Sequence, residues 1–140
     1  MSVQEHEAAV RRWITAWNAH DLDAVQQLLA PAFIRHDANL PEVAGPAAER
    51  DFMLGVFGAF PDIQFEPQQF TAQGDIVVAR IRVRGTHRGE FLGIPATGRA
   101  IAVQSIETFR LADGKVVEQW VLMDALGLLQ QLGAVPSGAS

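Results

Sequence analysis

The spacing of apolar residues changes period at Pro61, and few folds accept such a change. Ahead of it, Val3, Ala8, Ala9, Trp13, Ile14, Ala16 and Trp17 recur at nearly helical intervals. Beyond it, Val77, Ala79, Ile81 and Val83 alternate with Arg80, Arg82 and Arg84, as in a strand with one buried face. Helices come first and strands follow. This order predicts an α+β domain: helices on one face of a curved antiparallel sheet of about four main strands, enclosing an apolar pocket.

Local signals divide the chain further. Asp21 caps a second helix, LDAVQQLL, which Pro31 stops. Ala32–His36 reads as extended, and Gly45-Pro46 opens a third helix that ends before Pro61. Strands are predicted over 63–70, 77–83, 100–111 and 115–123, with turns at Gln73-Gly74-Asp75 and Asp113-Gly114. Ala125–Leu132 is a closing helix with Gly133 as its C-cap. One domain over 1–135 and a frayed tail, PSGAS at 136–140, are expected.

Composition removes several functions. The absence of cysteine excludes thiol nucleophiles, disulfides and thiolate metal sites, and fits a cytoplasmic protein. A net charge of −5 argues against nucleic-acid binding through phosphate neutralisation. No run of apolar residues is long enough to span a membrane, and the N-terminus lacks the pattern of a signal peptide. The only lysine, Lys115, sits in a turn, where nothing lowers its pKa for Schiff-base chemistry. His36 and His87 show no H-x-H or H-x-x-x-H spacing, so no metal site is expected.

Among the acids, Asp124 stands inside VLMDALGLL. It is solvated, caps the last helix, or works as an acid/base; spacing alone leaves these open. On an unbroken last strand, Trp120, Leu122 and Asp124 share one face. Parity along the arginine-striped strand carries Gly85 and His87 to the inner face with Val83, unless a β-bulge intervenes. His36 is either a partly exposed structural residue or a donor to a substrate oxygen, and His87 either a rim residue or the same kind of donor. Trp17, Asn39, Phe57, Phe91, Glu107 and Trp120 are the candidates for substrate contact, with Trp17 and Trp120 as walls against a flat molecule. Glu107 lies on a strand whose alternation leaves its face undetermined.

Several segments carry a resemblance: WNAHDLDAVQQLLAPAFIRHD, AFPD at 59–62, GTHRGEFLGIPATGR at 85–99, FRLADGKVVEQW at 109–120, and Asp124 with LLQQLG. Through them the chain resembles the SnoaL-like polyketide cyclases of the nuclear transport factor 2-like superfamily. The resemblance implies a cone-shaped α+β fold, no cofactor, and a homodimer or higher oligomer packed through the outer sheet faces. It also implies a hydrophobic or aromatic substrate closed by intramolecular aldol condensation, with Asp124 as acid/base and His36 matching a histidine of the family motif. Gln119 stands where a histidine is common in that family, and the first helix has no tyrosine. Three other readings stay open: an apolar-ligand binder without catalysis, an isomerase, or a hydrolase. Ketosteroid-type isomerisation leans on a phenol, and the chain has no tyrosine. Epoxide opening of the limonene type wants two aspartates bridged by an arginine, a set in which Asp124 has no evident place.

Overall fold

A computed structural model describes Met1–Pro136; of the expected tail, 137–140 lie outside the described residues. The elements are α1 (Val3–Asn18), α2 (Leu22–Gln27), β1 (Leu29–Asp37), β2 (Val43–Ala44), α3 (Pro46–Ala59), β3 (Gln64–Gln73), β4 (Ile76–Thr86), β5 (Ala100–Ala112), β6 (Lys115–Met123) and α4 (Ala125–Gln131). None of these helices is long and apolar enough to cross a membrane.

Each helix starts where its chemistry permits. The Ser2 hydroxyl accepts the Glu5 N–H at 3.0 Å, and Asp21 accepts the Ala24 N–H at 3.1 Å, each satisfying a donor that the first turn leaves free. Pro46 occupies the first turn of α3 behind Gly45, whose φ of 92° suits glycine. α1 buries Ala9, Val10, Trp13 and Trp17, an i, i+4 stripe, against the sheet.

The strands form one six-stranded sheet in the order β2-β1-β6-β5-β4-β3. β3 to β6 make the expected antiparallel meander. Asp113 and Gly114, both at positive φ, turn the β5–β6 hairpin. On β4, Val77, Ala79, Ile81 and Val83 point into the core and the three arginines face solvent.

Two expectations need correction. The sheet is mixed, because β1 pairs parallel with β6. β2, α3 and the strands β3 to β5 separate the two in sequence, a connection long enough to bring the chain back in the same direction. The last strand is also not unbroken. Arg110 pairs with Glu118 but Leu111 with Val116, so Val117 is an extra residue, a β-bulge. The bulge reverses parity: Val116 is buried, then Gln119, while Trp120 and Leu122 face out.

Candidate active site

A cavity lies between the helices and the inner face of the sheet. Its walls are mostly aromatic and aliphatic: Trp13 and Trp17 from α1, Phe52 and Val56 from α3, Phe60, and Phe91 from the β4–β5 loop. The edge of Trp17 meets Phe52 and Phe65, with ring centres 6.2 and 5.3 Å apart, so these walls support one another.

The polar groups gather on the sheet side. Arg35, Asp37, Gln119 and Glu107 all line the cavity. Inward alternation on β5 runs Ile101, Val103, Ser105, Glu107, Phe109 and Leu111, which carries a carboxyl into the core. The Gln119 amide donates to Glu107 Oε1 at 2.8 Å, and the Ser105 hydroxyl donates to Oε2 at 3.1 Å. Arg35 Nε donates to Gln119 Oε1 at 3.3 Å, and its Nη2 is ion-paired with Glu49 of α3. Four elements thus supply one buried chain: Glu49, Arg35, Gln119, Glu107 and Ser105. The Arg35 guanidinium lies 4.0 Å over the Phe52 ring, and Nη1 takes no bond among the described residues. One cationic edge therefore remains for a ligand.

Burial dominates the electrostatics. It pushes the Glu107 carboxyl up from its ordinary value; Arg35 and the bonds from Ser105 and Gln119 oppose this, and the nearby Asp37 charge adds to it. Burial likewise raises Glu49 to about 7, against the pull of Arg35 and with a further push from Glu107. The indole N–H of Trp17 also lowers it a little, although neither Trp17 Nε1 nor Glu49 Oε1 has a well-formed hydrogen bond among the described residues. Such a site favours the protonated form of its buried carboxyls and can bind an oxyanion within an apolar enclosure. Among the described residues no three histidine, aspartate or glutamate side chains are arranged to hold a metal ion.

Comparison with known proteins fixes the relationship. Residues 7–132 match the SnoaL-like polyketide cyclase family. The chain is 32% identical to the aklanonic acid methyl ester cyclase DnrD of Streptomyces peucetius, over 89% of this chain and 88% of that one. The chain belongs to the SnoaL-like polyketide cyclase family. Its fold matches AclR of Streptomyces galilaeus, provisionally assigned as a hydroxylase, with a TM-score of 0.86 and 35% identity over 97% of this chain and 85% of that one. It matches TsrD of Streptomyces laurentii equally well, at 0.86, with 27% identity over 96% and 99%. The expected nuclear transport factor 2-like architecture is therefore the fold of this SnoaL-like chain.

Of the residues singled out in the sequence, Trp17, Asn39, Phe91 and Glu107 line the cavity. Asp124 does not. It is exposed, and its carboxylate accepts the Gly127 N–H at 2.9 Å as N-cap of α4. Parity did group it with Trp120 and Leu122, but the bulge at Val117 turned all three outward. Trp120 stacks on His36 at 5.6 Å on the outer face and is no pocket wall. His36 itself, beside inward Arg35, points outward to Glu118 at 2.6 Å and Glu42 at 3.1 Å. Its hydrogen bond, followed by those of Arg110, holds the Glu118 carboxyl below its usual range. Phe57 is not among the lining residues; it stacks on His20 at 3.8 Å and meets the Trp17 ring at 5.5 Å.

His87 is fully buried but lies behind the lining. Its Nδ1 accepts the Thr97 N–H at 3.2 Å, while Nε2 has no partner among the described residues. It pins the ends of the β4–β5 loop, residues 87–99, and packs on Phe60 at 5.4 Å. Gly89 continues that anchoring: a side chain there would run into the Gly58 carbonyl of α3. The sequence reading missed Arg35, Glu49 and Gln119. For Arg35 a signal existed, since it shares strand parity with apolar Phe33 in FIRHD.

Proposed function

We propose that this protein closes a ring in a polyketide-like carbonyl substrate by intramolecular aldol condensation, without a cofactor. The observation that carries the reading is the placement of buried Glu107 beside Arg35 at the polar side of an otherwise apolar cavity. A carbon between two carbonyls gives a proton to an ionised carboxylate of the cavity and becomes an enolate. The open edge of Arg35 takes the developing oxyanion. The enolate carbon attacks an internal carbonyl, and neutral Glu107 gives its proton to the new alkoxide. Folding the chain against Trp17 and Phe91 supplies proximity. Glu107 takes the acid role in place of Asp124 in this scheme because, of these two, Glu107 lines the cavity.

Aklanonic acid methyl ester, the compound in DnrD's name, is the assay substrate of choice. A cyclised product of unchanged mass is expected, and Glu107→Gln should slow its formation at least about a hundredfold. A chain that binds the ester and returns it unaltered would be a passive ligand carrier. Arg35 between two buried acids supports a second reading, hydrolysis by activated water, which a product heavier by one water would reveal.

The protein acts as a homodimer in this reading. Ile106 and Leu122, registered neighbours on β5 and β6, are 48% and 61% exposed beside Trp120, an apolar outer face that a second copy would cover.

A further inference from the structure

Two cavity-lining acids stand on either side of the same residue. Asp37 of β1 and Glu107 of β5 are both registered partners of Val121 on β6. All three face the cavity. Two strand spacings put the backbones of the acids roughly 10 Å apart. The carboxyls therefore reach opposite ends of a short reacting segment laid across Val121. Their surroundings differ. Glu107 is enclosed, with both oxygens accepting hydrogen bonds. Asp37 is half-buried; its Oδ1 accepts the Asn39 N–H at 2.8 Å, and Oδ2 has no partner among the described residues. The opposite wall carries Trp13, whose buried indole N–H has no partner among the described residues.

We infer that Asp37 is the general base of this site and Glu107 its acid, the two acting in one turnover from opposite sides of Val121. This assignment rests on the ring-closing reading above. Asp37 Oδ2 takes the proton from the activated carbon, and the C–H electron pair becomes the enolate. That pair forms the new carbon–carbon bond, the attacked C=O π pair moves to oxygen, and the Glu107 proton converts it to a hydroxyl. Asp37 then releases its proton to water, and Glu107 regains one from solvent. Substrate and product are isomers, so no oxidant or reductant enters. Two carboxyls in unlike environments thereby share the work that one residue would otherwise do twice.

Proton abstraction and ring closure can be measured separately. Ethyl benzoylacetate has an activated methylene and no internal carbonyl in reach, so in D₂O it reports only the base. Above the uncatalysed background, NMR should show wild-type protein and Glu107→Gln exchanging that methylene at similar rates, with ring closure lost in Glu107→Gln alone. Asp37→Asn should lose both, at least about a hundredfold, while Asp37→Glu recovers part of each. Trp fluorescence quenching by the probe and thermal melting would show that Asp37→Asn still folds and binds. Wild-type exchange rates in Asp37→Asn, or exchange lost equally in Glu107→Gln, would overturn the division of labour while ring closure by the wild type stands. A wild type that neither exchanges nor cyclises would overturn the ring-closing reading and this assignment with it.

Discussion

Arg35 and Glu49 form an ion pair sealed from water on both sides, their side chains 5% and 0% exposed. Breaking such a pair from one side leaves an uncompensated buried charge and costs roughly 3–5 kcal/mol. The pair also links stability to pH. Glu49 titrates near 4.5 when unfolded and about 7 when folded, so the folded state holds the proton more tightly. The stability this adds is complete below pH 4.5 and is lost as pH rises through 7. The loss is of order 3 kcal/mol. Urea unfolding from pH 4.5 to 8 should show that decline. Glu49→Gln should flatten most of it, leaving the slope of the same sign that Glu107 contributes.

Glu107 must carry its proton to act as an acid. Burial raises its pKa despite Arg35 and the hydrogen bonds from Ser105 and Gln119. The alkaline limb of kcat/KM for ring closure should therefore lie above the ordinary carboxylate range of about 4.3. Glu107→Gln should abolish that limb together with the rate.

Asp124 serves the helix. Asp124→Ala should cost about 1 kcal/mol in chemical denaturation, the usual value of an N-cap. Ring-closing activity should stay within a few-fold of wild type, far from the at least about hundredfold loss of an acid/base residue.

Leu92 sits at φ 53° beside Gly93 at φ 77°, a two-residue turn closed by the Phe91–Ile94 bridge. A turn with both residues at positive φ favours Asn-Gly, and leucine is a poor occupant of its first position. Leu92→Asn should raise stability by about 0.5–1 kcal/mol. Because Leu92 lines the cavity and is 49% exposed, the same change should raise KM for an apolar substrate with kcat unaltered.

The outer sheet face gives a test of assembly. Leu122→Glu should convert a dimer to monomer in light scattering coupled to size exclusion, with little change in melting temperature, since Leu122 is 61% exposed in the single chain.

Most elements were legible because their signals are local. Asp21 and Asp124 each accept an N–H three residues on, and Asp113-Gly114 turns its own hairpin. Strict alternation on β4 predicted its faces because β4 and β5 pair without a break. Site residues were harder. Glu107 occupies an inward position of a strand whose polar Ser105 and Glu107 blur the apolar count, and Glu49 lies among AAERD with no sign that α3 turns it inward.

The order of the chain by itself determined most of the elements, their caps and turns, the α+β class and the family, although α2 ends at Gln27 and Pro31 lies within β1. Each depends on contacts a few residues apart or on motifs read in line. Tertiary structure alone decided which acids share the cavity. One bulged residue, Val117, reverses every side chain that follows it on β6, sending Asp124 outward and Gln119 inward. The parallel docking of β1 then brings Arg35 and Asp37 alongside. Register between distant strands is set by how whole faces bury, which no local spacing records.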